Sequence, residues 1–225
     1  MKIRIGSLLA AMALCATSAF ATSITIGATT GPNNFFPFGC GPTCGPQYVG
    51  EYQQIYAASA FGGPITIRQV AFETVRSGSL SSNFALSLGT TAATPASPGS
   101  NYAANKRPDL TAVFTGTIVV PSPGSGTFDF IINLTTPFTY NPAVGNLLLD
   151  VNIIADTGDT AFIAGDSTDT GRVFNFGGTG AATGGANYGL LTRFSDVAVP
   201  EPASLTLLAS GLAVAARRWR HRRRP

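Results

Sequence analysis

Few side chains in the 225-residue sequence have the types and spacing that catalysis needs. The segment 22–198, called the body below, contains no histidine, since the single histidine is His221. This excludes serine–histidine and cysteine–histidine nucleophiles and histidine-bound metals from the body. Glu51 and Glu73 are its only glutamates, and two carboxylates could cleave a glycosidic bond as acid and nucleophile or base. Two glutamates on neighbouring strands are more often surface charges, so we predict a protein that is not an enzyme and holds no cofactor.

A second candidate for chemistry is a stretch rich in aspartate. It places four carboxylates among glycine, serine and threonine: Asp156, Asp159, Asp166 and Asp169. Oxygen ligands of this kind suit Ca²⁺, but the spacing differs from the D-x-[DN]-x-[DN]-G calcium loop. A solvated acidic loop is the alternative. We therefore predict no metal site and leave calcium binding open.

Cys40 and Cys44 are the two cysteines of the body. In an oxidising compartment such a pair forms a structural disulfide, and Gly41, Pro42 and Gly45 permit the tight loop that it requires. A metal site would need further thiol or imidazole ligands. A redox-active pair usually has two intervening residues rather than three. We therefore predict a disulfide between the two cysteines.

Charge is distributed unevenly along the chain. The net charge of +3 comes from the terminal segments, which contain eight of the 14 basic residues. The body has six basic and ten acidic side chains, which gives it a net charge of −4. Because nucleic-acid binding needs a basic face for phosphate, we predict no nucleic-acid partner.

The first 21 residues have the three parts of a secretory signal peptide. Lys2 and Arg4 supply the positive end, and the apolar run 5–16 follows. Ala19 and Ala21 form a small-x-small cleavage site, so we predict cleavage before Thr22. An uncleaved anchor is the alternative, but the apolar run is short for a membrane span of about 20 residues.

Strands must position the candidate residues, because short alternating segments dominate the body and no long amphipathic helix stands out. Strands are predicted at 23–26, 51–58, 65–73, 83–89, 110–120, 127–134, 146–154, 172–176 and 189–194. Loops or turns are predicted at 29–45, 90–108, 137–142 and 156–170. This pattern is typical of an all-β, antiparallel two-sheet β-sandwich that is jelly-roll-like in strand number. A partly open barrel is the alternative.

Three of these segments give specific predictions for side-chain direction. Phe84 and the leucines that alternate with it share one face of their strand. In the segment 65–73, strict alternation places Ile67 and Ala71 on one face and Phe72 on the other. The apolar run 146–154 is too continuous for a half-exposed strand, and we expect it to be buried on both faces.

The last 27 residues form a tail with three parts. A proline-defined corner comes first: Val199, Pro200, Glu201 and Pro202. The uncharged segment 203–216 follows, and a terminal basic cluster comes last: Arg217, Arg218, Arg220, Arg222, Arg223 and Arg224. A 14-residue helix spans about 21 Å, which is less than the ~30 Å hydrocarbon core, so crossing would require bilayer thinning or arginine snorkelling. The arginines are expected to stay on the cytoplasmic side of the inner membrane.

Corner, apolar span and arginine cluster together resemble the PEP-CTERM sorting segment of Gram-negative bacteria. That segment is also labelled the ice-binding protein C-terminal domain, although the body lacks the regular threonine spacing of ice binders. The resemblance implies recognition by an exosortase, cleavage near the Pro-Glu-Pro corner, and transfer to the cell surface or extracellular matrix. Proteins of this family are often connected with exopolysaccharide and biofilm. The stretches 52–56 (YQQIY) and 141–150 (NPAVGNLLLD) are also similar to ectodomains of the family.

These observations predict a chain with a signal peptide at 1–21, a β-sandwich ectodomain at 22–198 and a sorting segment with a single transmembrane helix at 199–225. The expected protein is an exported intermediate anchored in the inner membrane, which then becomes a non-enzymatic matrix or biofilm component. A carbohydrate-binding module for exopolysaccharide is the alternative, with stacking aromatics on loops: Phe35, Phe36, Tyr102 and Tyr140. A glycoside hydrolase that uses the two body glutamates is the third hypothesis. The expected partners are an exosortase, the inner membrane and, in the second hypothesis, a polysaccharide.

Overall fold

The fold is taken from a computed structural model, which describes residues 22–31, 33–39, 50–75, 78–158, 160–175 and 183–196. Several predicted features lie outside these residues. They are the signal peptide with Ala19 and Ala21, the Cys40–Cys44 disulfide, and the whole sorting segment 199–225. Within the described ranges no helix is long and apolar enough to cross a membrane.

The described chain forms thirteen strands in two antiparallel sheets. Sheet I contains β1 (Ser23–Ile26), β2 (Asn33–Asn34), β4 (Ile65–Thr74), β7 (Thr127–Tyr140), β9 (Phe162–Asp166), β12 (Tyr188–Leu190) and β13 (Thr192–Ser195). Sheet II contains β3 (Gly50–Tyr56), β5 (Leu80–Thr91), β6 (Thr111–Val120), β8 (Asn146–Gly158), β10 (Thr170–Phe174) and β11 (Thr183–Gly185). A 3₁₀ turn (Ala58–Ala60) and a one-turn helix α1 (Tyr102–Asn105) complete the described elements.

Strand order fixes which segments are neighbours. Sheet I runs β1-β13-β4-β9-β12, with β7 beside β4 and β2 beside β9. Sheet II runs β11-β10-β3-β8-β5-β6. The all-β, two-sheet prediction is therefore confirmed. The strand count in the described residues exceeds the nine strands predicted above, because short strands such as β2 and β11 show too little alternation to be recognised.

Apolar side chains from the two inner faces fill the space between the sheets. Phe84, Leu86 and Leu88 of β5 are all fully buried, as predicted from their spacing. Their neighbours Ala85 and Ser87 are partly exposed on the outer face. This clean alternation is typical of a strand with one face on the core and one face toward water.

Strand β4 departs from the predicted alternation. Ile67 points into the core, but beyond it Phe72 rather than Ala71 belongs to the core cluster. The pairing of β4 with β7 shifts register between Ile67 and Gln69. One residue of β4, Arg68, lies opposite four residues of β7 (134–137), and beyond this irregularity the core-facing positions of β4 change from odd to even residue numbers. The predicted faces were therefore wrong after this point.

Three predicted boundaries also change. The turn expected at 137–142 begins later, because β7 continues to Tyr140. The segment 156–170 is not a single loop, since β8 extends to Gly158 and β9 occupies its middle. Strand β8 is buried on both faces only in its first half, and Ile154 is 48% exposed. The prediction of a fully buried strand was therefore wrong at its far end.

One loop aromatic lies at the centre of the core. Phe38 follows β2 in a turn and is fully buried. Its ring centroid lies 4.6 Å from that of Phe130 and 5.0 Å from that of Phe84, and these two residues come from opposite sheets. The next residue, Gly39, passes so close to the Thr160 carbonyl that an added Cβ would overlap its oxygen. The turn thus places an aromatic ring between the two sheets.

Candidate functional site

The stretches 52–56 and 141–150 lie side by side in sheet II. The stretch 52–56 belongs to β3, and the end of the stretch 141–150 belongs to β8. In the antiparallel register, Gln53 faces Asp150 and Tyr56 faces Leu147. The paired strands therefore form one structural unit, with an inner face toward the core and an outer face toward the loop before β6.

The inner face of this unit connects the two sheets through polar side chains. Gln54 Nε2 donates to the Leu190 carbonyl at 2.9 Å, and the Leu190 N–H donates to Gln54 Oε1 at 2.9 Å. The Tyr56 hydroxyl lies 2.8 Å from Thr192 Oγ1. Burial raises the pKa of Tyr56 well above its ordinary value, so the phenol stays protonated and serves as a structural hydrogen-bonding group.

The outer face carries a compact charged cluster. Lys106 Nζ lies 2.7 Å from Glu51 Oε1 and 3.1 Å from Asp150 Oδ2. Glu51 comes from β3 and Asp150 from the adjacent β8. Lys106 follows helix α1 directly. One lysine therefore faces two carboxylates on neighbouring strands, and we call these three residues the Lys106 cluster.

Buried amides hold the Lys106 cluster in place. Gln53 is fully buried, and its Nε2 donates to Asp150 Oδ1 at 2.9 Å. Asn105, also buried, donates from Nδ2 to Gln53 Oε1 at 2.9 Å. The Tyr102 hydroxyl donates to the Glu51 carbonyl at 2.9 Å. These bonds fix helix α1 and its loop on the outer face of sheet II, because a buried amide without a partner would cost free energy.

Partial burial and neighbouring charges shift the pKa values of Glu51 and Lys106 in this cluster. Burial raises the pKa of Glu51, and the hydrogen bond and charge of Asp150 raise it further, against the opposing effect of Lys106. Burial acts to lower the pKa of Lys106, but the two carboxylates outweigh it and the pKa is raised. The lysine is therefore held in its charged form, and it compensates one of two negative charges.

Replacing this lysine should destabilise the protein in a pH-dependent way. We expect Lys106→Met to lower the free energy of unfolding at pH 7 by about 1–2 kcal/mol, since both carboxylates lose their cation. This loss is smaller than that for a fully buried ion pair, because the side chains of Lys106 and Glu51 are 32% and 28% exposed and solvent screens their charges. Urea denaturation at several pH values would measure the loss.

The sign of the pH dependence follows from the raised pKa of Glu51. The folded protein keeps the Glu51 proton to a higher pH than the unfolded chain, whose ordinary value is 4.5. Stability from this group therefore falls as the pH rises above that value. In Lys106→Met the fall is steeper, so the deficit should shrink toward pH 4. A deficit that stayed constant with pH, or persisted at full size in an Asp150→Asn background, would contradict the assignment.

The carboxylates that the sequence suggested for hydrolysis are not brought together. Glu51 lies on β3 of sheet II, whereas Glu73 lies on β4 of sheet I. The partner carboxylate of Glu51 is Asp150 instead. The sequence gives no local indication that Glu51 and Asp150 lie close together, because β3 and β8 are far apart in the chain. Gln53 of β3 and its partner Asp150 of β8, for example, are 97 residues apart and meet through the β3–β8 pairing.

The predicted stacking aromatics do not form an exposed platform. Phe36 is 5% exposed and Tyr140 is fully buried. Phe35 packs against the core cluster, and the Tyr102 hydroxyl is used in the bond to Glu51. The pattern of loop aromatics therefore indicated core residues and a loop anchor rather than a sugar-binding surface.

The aspartates considered for calcium are separated by the fold. Asp156 lies on β8 in sheet II and Asp166 on β9 in sheet I. Asp159 lies outside the described residues. Across the described ranges, no three His, Cys, Asp or Glu side chains are grouped closely enough to hold a metal ion.

Sequence reasoning gave no role to Arg172, which lies on β10 between aromatic rings. Its guanidinium carbon is 4.4 Å from the centroid of Tyr188 and 5.0 Å from that of Phe174. Nε and Nη1 are shielded from solvent. Burial raises the pKa of Tyr52, and Arg172 opposes this larger effect through its charge and a hydrogen bond, which lower the pKa. In the part of the chain that the structure describes, no carboxylate forms an ion pair with Arg172. We call Arg172 and these two rings the Arg172 slot.

The first and last described residues, Thr22 and Asp196, are hydrogen-bonded to each other. Strand β1 pairs with β13, with Ser23 opposite Ser195. Beyond this ladder, the Thr22 N–H donates to Asp196 Oδ1 at 2.8 Å, and the Asp196 N–H donates to the Thr22 carbonyl at 3.1 Å. The predicted signal cleavage site and the predicted sorting segment therefore adjoin one corner of sheet I.

These features define an all-β protein of two packed antiparallel sheets, with a tail that follows the last strand. Residues 198–224 of that tail match the family model of the PEP-CTERM protein-sorting motif, so the chain carries this sorting motif. The motif implies processing by an exosortase and an exported protein that is sorted to the cell surface. No curated protein and no solved structure matches the chain.

Proposed function

We propose that this chain is a non-enzymatic structural component of the extracellular matrix or biofilm. The observation that carries the proposal is the sorting motif at 198–224, which begins two residues after Asp196, the last described residue of the folded body. A β-sandwich with a surface-sorting tail is suited to delivery and display rather than to turnover of a substrate.

The proposed route has two processing steps. Removal of the signal peptide 1–21 leaves the body outside the inner membrane, while the apolar segment 203–216 holds the chain there. The arginine cluster keeps the C-terminal end on the cytoplasmic side. Exosortase then cuts near Pro200–Pro202 and releases the body, without its basic tail, toward the surface.

Features of the body support a non-enzymatic role. It contains no histidine, and Lys106 bridges the carboxylates of Glu51 and Asp150. The carboxylates of Glu51 and Asp150 are both used in contacts with Lys106 and the buried Gln53 amide. This arrangement favours a structural role for the Lys106 cluster, which is to fasten helix α1 to sheet II.

Mass spectrometry of the exported protein tests the sorting part of the proposal. The full chain is produced in a Gram-negative host with an exosortase, and the intact mass of the extracellular form is measured. We expect a C-terminus near the Pro-Glu-Pro corner and loss of the arginine cluster. An extracellular form that kept Arg217 and the residues after it would refute exosortase processing.

A second candidate function is binding of an acidic polysaccharide, favoured by the Arg172 slot. Among the described residues the Arg172 guanidinium has no carboxylate partner, and its positive charge would attract the carboxylate of an acidic sugar. The ring of Tyr188, which is partly exposed, supplies an apolar surface for a sugar ring. A uronic acid offers both groups, and Tyr188 would have to move to admit it.

Calorimetric titration of the exported protein with polygalacturonate, and with neutral dextran as a control, tests this second function. We expect polygalacturonate alone to bind, and Arg172→Met to weaken binding about tenfold, equivalent to 1.4 kcal/mol. Arg193→Met is a matched control, because Arg193 also lies 4.4 Å from an aromatic centroid, that of Phe128. Equal losses in both variants, or binding of dextran, would refute a specific role for Arg172.

A further inference from the structure

The contact between Thr22 and Asp196 involves the backbone nitrogen at the predicted signal cleavage site. The predicted signal cleavage site is the peptide bond between Ala21 and Thr22. The nitrogen of that bond is the atom that donates to Asp196 Oδ1 at 2.8 Å. The carboxylate therefore already faces the atom whose charge would change on cleavage.

Cleavage would convert this neutral hydrogen bond into an ion pair. Hydrolysis adds one water across the bond, so that a new carboxylate forms on Ala21 and a new amino group on Thr22. At neutral pH most α-amino groups carry an added proton, since their ordinary pKa is about 7.7–8.0. The product is an ammonium group within hydrogen-bond distance of a carboxylate, a stronger interaction than the bond from a neutral amide.

We infer that Asp196 is a binding site for the new N-terminal ammonium group of the mature protein. This inference rests on the proposed export route, because it needs signal cleavage before Thr22. It goes beyond that route by assigning a role to a residue outside both the signal peptide and the sorting motif. Signal cleavage at the N-terminal end would then strengthen the contact with Asp196, which lies just before the sorting motif.

Geometry supports a defined pair rather than a chance surface contact. Residues 23–26 of β1 are held by four successive pairings with β13, from Ser23–Ser195 to Ile26–Thr192. The Asp196 N–H also donates to the Thr22 carbonyl at 3.1 Å. The backbone of both residues is therefore fixed by the ladder and by this bond, so little conformational entropy remains to be lost when the ion pair forms.

The consequence concerns the sorting tail. Asp196 is two residues before the start of the sorting motif at 198. An ion pair at this position would prevent fraying of the end of β13, so that the tail leaves the folded body at a fixed point. Only the processed chain has this ammonium group, and the precursor holds the same position with a neutral amide.

The reactivity of the N-terminal amine tests the inference on the exported protein. The chain is purified from the extracellular fraction, its first residue is determined by N-terminal sequencing, and the amine is acetylated at pH 7.5 under limiting reagent. An ion-paired amine keeps its proton, so we expect acetylation of Thr22 to be about two- to fivefold slower than in Asp196→Asn. In urea the two proteins should react at the same rate.

Two further variants separate the ion pair from general effects of mutation. Asp196→Glu keeps the charge and should retain at least part of the protection. Insertion of one alanine directly before Thr22 keeps Asp196 but moves the ammonium away, and should give the fast rate of Asp196→Asn. Circular dichroism of each variant would confirm that the fold is intact.

Each outcome has a distinct meaning. Equal rates in wild type and Asp196→Asn, with Thr22 as first residue, would refute the ammonium site and leave sorting untouched. A first residue other than Thr22 would also refute the site. Retention of the arginine cluster in the exported protein would instead count against the proposed sorting, whatever the amine rates are.

Discussion

Phe38→Ala should lower the free energy of unfolding by about 3–5 kcal/mol, the cost typical of removing a fully buried aromatic side chain. The Phe38 ring contacts aromatic rings of both sheets, with centroids 5.1 Å from Phe72, 5.0 Å from Phe84 and 4.6 Å from Phe130. Its removal would leave a cavity between the sheets that close packing cannot readily fill. Urea denaturation of the exported protein, followed by circular dichroism, would measure the loss.

Two variants make this prediction specific. Phe38→Leu keeps most of the apolar volume and should cost clearly less than the alanine variant. Val119→Ala removes an apolar side chain that is 63% exposed, so its effect should remain within about 0.5 kcal/mol. A Phe38→Ala protein as stable as Val119→Ala would show that the turn after β2 does not support the core.

Replacement of both Pro200 and Pro202 by alanine should abolish most exosortase processing. Each proline fixes its own φ and removes a backbone donor, so the two rings preset the shape of the corner that the motif presents. We expect the extracellular form without its tail to fall at least about tenfold, equivalent to 1.4 kcal/mol of lost recognition. Immunoblots of the membrane and extracellular fractions would measure the shift, with the precursor accumulating in the membrane.

A proline outside the motif supplies the matched control. Pro121 lies exposed in the connection between β6 and β7, and Pro121→Ala should leave processing unchanged. If the double variant were processed as well as Pro121→Ala, recognition would have to depend on other parts of the tail. The folded body should have the same stability in the wild type and in the double variant, because positions 200 and 202 lie beyond β13.

The sequence predicts best where one pattern is uninterrupted. Strand β5 alternates without a break through Phe84 and the leucines after it, and its buried face agrees with the prediction. In β4 the irregular pairing with β7 after Ile67 exchanges the faces. No residue type in β4 signals this irregularity, so alternation alone placed Ala71 on the wrong side.

The site could be predicted only where its residues are contiguous in sequence. The sorting motif can be recognised because corner, apolar span and arginine cluster follow one another within 27 residues. The Lys106 cluster joins Glu51, Lys106 and Asp150, which come from three distant segments. Their meeting depends on the β3–β8 register and on the fold of the loop before β6. Glu73 was paired with Glu51 by residue type alone, and the division into two sheets separates them.

The position of β13 determines how the body would respond to mechanical force on its tail. The strand lies between β1 and β4, so it has hydrogen-bonded neighbours on both sides. A pull on Asp196, as in shear flow on an attached protein, would load both ladders at once rather than peel off an edge strand. A tail that extended from an edge strand such as β12 would lack this protection. In this topology, force applied at Asp196 is therefore shared between the ladders that β13 forms with β1 and β4.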